Sequence, residues 1–186
     1  MTIDQNYPKL PAMNNHFSIL YKLGDTAEEV NINTVEENKN AALALAEQAR
    51  HSIDIFSQDM DAEIYNNEDF EQAVITLAKK HPNTKIRILT RDSRIAVQNG
   101  NRLIRLAQHL TSSVFINKPS DKYSDEQAAF LIADKTGLLY RTNASHRNYQ
   151  ASLNFMTPQR AAKLTEFFNE AWEHSTADMQ THRVYV

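Results

Sequence analysis

The sequence predicts an α/β domain, a three-layer αβα sandwich around a mixed, mainly parallel central sheet. Two observations carry this. Short runs rich in branched and aromatic residues alternate with stretches of helical spacing, and the order strand, helix, strand, helix, strand is that of right-handed crossovers covered on both faces. A chain of 186 residues with 41% hydrophobic and 23% charged residues has enough apolar material for one core.

Residues 1–33, with Pro8, Pro11 and Gly24, read as a partly ordered N-terminal arm of loops with one or two short strands around 17–21 and 30–32. The domain proper runs over 34–175. Thr34 followed by Glu37 forms a capping box ahead of an alanine-rich helix to Arg50, because hydroxyl and carboxylate each satisfy an otherwise unpaired amide. Residues 52–57 alternate as a strand. Asn67 caps a second helix whose Phe70, Ala73, Val74, Leu77 and Ala78 share a face, and 81–83 end it. Residues 85–90 form the next strand, a loop reaches Gly100, and a helix carries Leu103, Ile104, Leu106, Ala107 and Leu110. A short strand at 114–116 and the very apolar strand 128–133 follow, with a turn at 135–137 into a hairpin partner at 138–141. Thr157 caps and Pro158 opens the last helix, whose Leu164, Phe167, Phe168, Ala171 and Trp172 form a core stripe. Residues 176–186 read as a C-terminal tail, in which 184–186 either add a strand to a sheet edge or stay disordered.

Composition narrows the chemistry. With no cysteine, disulfides, thiolate nucleophiles and zinc sites with sulfur ligands are excluded. No stretch reaches the roughly 18 apolar residues of a membrane span, and the first residues lack a secretory signal, so the expectation is a cytoplasmic protein with no membrane partner. The net charge of −3 is unevenly spread: residues 1–80 hold 14 acids against 6 bases, whereas 81–118 hold 7 bases against Asp92 alone. Such a split points to an anion-binding patch or to two complementary faces.

Ligands of parallel α/β sheets gather beyond the carboxyl ends of the strands. That edge is expected to present Asp59 and Asp61, then Arg91 and Asp92, then Lys118. Asp59, Asp61 and Asp92 together have the chemistry of a Mg2+ site, although an Asp there also serves to cap a turn or to pair with an arginine. Arg87, Arg91, Arg94, Arg102 and Arg105 are the basic cluster, in which Arg102 and Arg105 share a helix face and, with Arg91, form a candidate phosphate or carboxylate clamp. Arg87, in mid-strand, is either on an exposed face or paired with a buried acid such as Asp54.

The segment 128–172 resembles the latter part of a phospholipase-D-type half: an apolar strand ending in Asp134, a turn, a second strand, an Asn-containing loop and a helix ending in Phe and Trp. In that family the motif is His-x-Lys, four residues, then Asp. Placing Asp134 on the motif Asp puts Gln127 at the His position and Ala129 at the Lys position, so the groups that attack phosphorus and neutralise its charge are replaced. More closely, residues 41–186 resemble a bacterial domain often found C-terminal to GNAT-type acetyltransferases, through 57–61, 86–89 with Asp92, 100–104, 130–134 and 139–141. The resemblance implies a fold and a set of polar positions. It also implies a site at the family's catalytic end carried by Asp134, Tyr140 and Arg141, with His146, Arg147 and Tyr149 on the following loop. No base, nucleophile and orienting acid stand together, so no catalytic residue and no cofactor are assigned.

The expected function is therefore a non-catalytic, regulatory phospholipase-D-like domain, a pseudoenzyme, that binds an anionic small molecule or an acidic protein partner. Nucleic acid is the less favoured partner, because no aromatic residues interleave with the arginines. The rivals are metal-assisted phosphoester hydrolysis on Asp59, Asp61 and Asp92, and a docking module for a separately encoded acetyltransferase, since the 33 preceding residues are too few to hold one. The analogy with one-motif relatives, each resembling half of a two-fold assembly, makes a homodimer one expected arrangement.

Overall fold

The computed structural model describes residues 16–145, 148–179 and 181. In chain order these form α1 (His16–Leu20), β1 (Glu29–Ile32), α2 (Val35–Gln48), β2 (Ser52–Ser57), α3 (Ala62–Tyr65), α4 (Glu68–Lys80), β3 (Lys85–Thr90), α5 (Arg94–Gln98), α6 (Arg102–His109) and β4 (Val114–Lys118). A 3-10 turn at Asp121–Tyr123 is followed by β5 (Ala129–Ala133), β6 (Gly137–Arg141), β7 (Ala151–Asn154), α7 (Pro158–Glu173) and β8 (Thr176–Ala177). The helix starts follow from local chemistry. Thr34 and Glu37 make the capping box of α2, and the Asn67 side chain accepts from the Phe70 amide at 2.9 Å.

The eight strands lie in the order β1-β7-β6-β5-β2-β3-β4-β8. β2, β3 and β4 are parallel, joined by crossovers through α4 and α6, as the alternation of elements predicts. The sheet is mixed, but it is not mainly parallel: the other five pairings are antiparallel. Two-residue periodicity reveals strands but not their partners, and the hairpin β5-β6 with β7 and the two edge strands turns the balance.

Alternating side chains divide the core into two layers. Ile53, Ile55, Ile86, Ile88, Ile116, Leu131 and Leu139 face α2, α4 and α6, while Phe56, Leu89, Phe130, Ile132 and Leu138 face α7 through Ala161, Phe168 and Ala171. Each such Ile, Leu or Phe contributes about 1.5–3 kcal/mol on full burial, so the two layers together hold the sandwich closed. On the α7 face, Asp54 and Arg87 are register partners on neighbouring strands and form a bidentate pair at 2.7 and 2.9 Å. Arg87 also donates to Asn169 and lies over the Phe168 ring at 4.9 Å, so the mid-strand arginine has a buried acid, the second of its two expected settings.

Several local expectations change. Residues 16–20 form a helix whose Phe17 packs on the core, and β1 pairs with β7, so the described part of the arm belongs to the sandwich. The loop before Gly100 contains α5, and the Asn-containing loop contains β7. Thr157 precedes Pro158 without a side-chain cap bond; instead its amide donates to the Thr136 carbonyl at 2.9 Å. In the tail, Thr176 and Ala177 pair with β4, while 184–186 lie outside the described residues. Gly137 sits where an added Cβ would strike the side chains of Leu23 and Leu45. Among the described residues, no helix is long and apolar enough to cross a membrane.

Candidate functional site

The parallel strands β2, β3 and β4 end on one edge, and two recesses open there. The turn after β2 places Met60 and Asp61 in succession in the left-handed region, with φ of 68° and 35°. The Asp59 carboxylate accepts from the Asp61 amide at 3.2 Å, and the Asp61 carboxylate receives the Arg141 guanidinium. Arg141, 3% exposed at the end of β6, also donates to the carbonyls of Asn148 at 2.8 Å and Ser145 at 3.3 Å. Its guanidinium lies 5.0 Å from the centre of the Tyr149 ring. The Tyr149 hydroxyl donates to Glu63 at 2.7 Å; burial, then that carboxylate, push its pKa up to about 12. Tyr65 behind this layer is likewise pushed up, by burial first and by Asp61 second.

The first recess, about 160 Å3, is lined by Asp59, Asp61, Glu63, Asn66, Asn101 and Tyr149, with Ile95 and Ala96 of α5 as its far wall. The second lies across α5 at the ends of β3 and β4. Here Arg91, Asp92, Ser93, Arg94, Lys118 and Asp178 line an open groove of about 370 Å3. The Asp92 carboxylate accepts from the Arg94 amide at 3.0 Å and from its guanidinium at 2.6 and 2.9 Å, which holds its pKa down at about 2. Arg91 donates through Nη1 to the Ser124 carbonyl, while its buried Nε has no described partner.

The expected site residues thus divide. Asp59 and Asp61 line the first recess, with Arg141 bound to Asp61, and Arg91 and Asp92 line the second. Arg102 is drawn to Glu71 of α4, and Arg105 is exposed further along α6, so the clamp of Arg91, Arg102 and Arg105 does not form. Asp134 lies at the opposite edge, because β5 runs antiparallel to β2 and carries it beside Ser52. Its carboxylate accepts from the amides of Arg50, His51 and Ser52 at 2.7, 2.8 and 2.9 Å, which is a loop-fastening role. Tyr140 stands on the α7 side, stacked on Phe130 and 4.7 Å from the Arg160 guanidinium. A joint site of Asp134, Tyr140 and Arg141 is therefore corrected: register sends the first to the far edge and pleat sends the second to the other face.

The three carboxylates of the metal-assisted alternative do not come together either, since Asp59 and Asp61 line the first recess and Asp92 the second. Asp61 is engaged by Arg141 and Asp92 by Arg94, and among the described residues no group of three His, Asp or Glu could hold an ion. The Gln127 carbonyl accepts from the Ala144 amide at 2.9 Å, and Ala129 is buried opposite Arg141 in the β5-β6 ladder. His146 and Arg147 lie outside the described residues. Glu63, Asn66 and Asp178 were not anticipated. Asp178 belongs to the tail and enters the groove only because β8 pairs with β4, which no local pattern signals.

Residues 34–184 match the family described as Domain of unknown function (DUF7931). The chain belongs to that family. No curated protein matches it. Among solved structures, this DUF7931 chain is similar to Nuc from Salmonella typhimurium, a phospholipase D family member, with a TM-score of 0.59 at 13% identity over 81% of this chain and 99% of that one. NucT from Helicobacter pylori gives a TM-score of 0.59 at 14% identity, with the same coverage. TrmBL2, an archaeal chromatin protein whose structure shows a novel mode of DNA binding, gives 0.59 at 18% identity over 81% of this chain. The DUF7931 chain spans about half of TrmBL2, 54% of its length. At these identities the likeness is one of fold, and that fold is phospholipase-D-like.

Proposed function

We propose that this domain is a non-catalytic phospholipase-D-like module that holds an anionic small molecule or an acidic protein surface in a regulatory role. The observation that carries the reading is the groove beyond β3 and β4, where Arg91, Arg94 and Lys118 face one open space against Asp92 and Asp178. Arg94 pairs with Asp92, so Lys118 and the Arg91 guanidinium supply the remaining positive charge that an incoming anion would meet. Gln127 and Ala129 stand where the resemblance requires the attacking and charge-neutralising groups, and neither side chain can do that chemistry.

A nucleic-acid backbone is the second form of the same reading, favoured by the likeness to a DNA-binding chromatin protein and weakened by the absence of aromatic residues among the arginines. Calorimetric titration with inorganic phosphate, ATP and duplex DNA separates the forms. The expected result is binding of at least one anion that falls steeply with salt and weakens about fivefold to tenfold in Lys118→Ala. Unchanged affinity in both Lys118→Ala and Arg94→Ala would move the ligand elsewhere. Cleavage of a phosphodiester by the wild-type chain would overturn the non-catalytic reading.

A further inference from the structure

The edge of the sheet opposite both recesses gathers cations that the groove does not use. There β2, β3 and β4 begin, β5 ends, and α2, α4 and α6 finish. Hydrogen bonds tie its segments together. The Asp134 carboxylate holds the amides of 50–52, and the Lys80 ammonium donates to the Ala49 carbonyl at 2.8 Å. The Lys85 amide donates to the His51 carbonyl at 3.2 Å, and its ammonium donates to the Ser112 carbonyl at 2.9 Å. Arg50, Lys79, Lys80, Lys85 and Lys135 are all exposed, and none is paired with a carboxylate among the described residues, whereas Arg87, Arg94, Arg102 and Arg141 each are. The one acid within 49–52, 79–85, 110–113 and 134–136 is Asp134, both of whose oxygens already accept from amides. Lys79 and Lys80 have a local reason to be there, since cations suit the carbonyl end of α4. Lys135 has none: it closes no helix, and it holds its charge on left-handed backbone with a φ of 57°, where Gly or Asn would cost less.

We propose that this edge docks the sugar-phosphate backbone of duplex nucleic acid without reading its sequence, at a surface separate from the groove beside Lys118. β5, β2, β3 and β4 are consecutive in the sheet, so the edge extends about 14 Å at the usual strand spacing. Over that length a duplex carries about four phosphates on each strand, a match for a row of exposed cations. The neutral side chains exposed between them, Asn83, Thr111 and Ser112, are of the kinds that donate to phosphate oxygens. A duplex held by its backbone needs no aromatic platform, unlike a single strand, so the lack of interleaved aromatic residues is no obstacle here. No large apolar side chain is exposed on these four segments, which sets the surface apart from one that inserts into lipid.

The test uses the full chain and a fluorescein-labelled DNA duplex of about 20 base pairs, followed by fluorescence anisotropy between about 50 and 200 mM KCl. The slope of log affinity against log salt is expected to be about −4.5, which is 0.9 for each of the five cations. Arg50→Gln, Lys79→Gln and Lys135→Gln together should weaken binding about tenfold or more and bring the slope to about −2. The charge-keeping combination Arg50→Lys, Lys79→Arg and Lys135→Arg should bind like wild type. Should the Gln combination melt early, Lys135→Gln alone, in an exposed turn, still serves, with a slope smaller by about 0.9. Lys118→Ala should leave duplex affinity within about twofold, and the Gln combination should leave phosphate binding beside Lys118 unchanged, so the two surfaces are read separately. A wild-type slope near zero, full affinity in the Gln combination, or a tenfold loss in Lys118→Ala would each overturn the proposal. So would tighter binding to vesicles of equal parts phosphatidylglycerol and phosphatidylcholine than to the duplex.

Discussion

Arg141, buried at the end of β6, donates to the carboxylate of Asp61, 80 positions earlier in the chain, and so ties the turn after β2 to the loop that carries Asn148 and Tyr149. Both partners are mostly sheltered from water, so the pair is costly to break. Arg141→Met should lower the unfolding free energy by about 3–5 kcal/mol in urea denaturation, because it removes the buried cation bound to the Asp61 carboxylate. Asp61→Asn should cost less, about 1–3 kcal/mol, since Asn tolerates the left-handed backbone and leaves no stranded anion. A loss under about 1 kcal/mol in Arg141→Met would show that this pair does not fasten the site.

Asp54 and Arg87 allow the same logic to be inverted. Arg87→Met alone strands Asp54, which is 2% exposed, and should cost about 3–5 kcal/mol. Replacing both, with Asp54→Leu and Arg87→Met, should regain most of that loss, because the α7 side around Phe168 and Trp172 is already apolar. A double variant no more stable than the single one would mean that the pair itself orders the strands.

Asp134 should matter to stability and not to ligand binding. Removing its three amide partners by Asp134→Ala is expected to cost about 2–3 kcal/mol while phosphate titrations stay unchanged. Next to it, Lys135 has a φ of 57°, so Lys135→Gly should raise stability by about 0.5–1 kcal/mol through relief of the left-handed strain. Loss of phosphate binding in Asp134→Ala would place Asp134 back in the site.

The pH dependence follows from Asp92. Its folded-state pKa of about 2 lies below the ordinary 3.8, because Arg94 binds the carboxylate form. A depressed carboxylate stabilises the fold fully above the unfolded pKa and loses that contribution as the pH falls through the folded one, here between about 4 and 2. The side chain is 40% exposed, so screening keeps the contribution below about 1 kcal/mol. Thermal melts of wild type and Asp92→Asn should therefore converge as the pH falls across that window. A difference that grows on acidification would reverse the assignment.

The caps of α2 and α4 were legible because a capping box and an Asn cap lie within four residues of the groups they satisfy. The parallel core β2-β3-β4 was legible for a related reason: its strands and crossover helices follow one another in sequence. β7 was not, since Ala151 to Asn154 is a strand by virtue of lying between β1 and β6. Its own side chains form no strong alternating pattern.

For the candidate site, the sequence by itself determined which chemistry is present: an acidic turn after β2, a basic stretch around Arg91 and Lys118, and Gln and Ala at two positions where the resemblance calls for reactive groups. Only the tertiary structure decided which charges meet. Antiparallel register carried Asp134 to the far edge, α4 claimed Arg102, and α5 divided what remained into a cationic groove and an acidic recess. Composition and local spacing fix what a residue can do within a few positions, whereas the partner of a charge is set by strand order and pleat, which bring together residues that no short window contains.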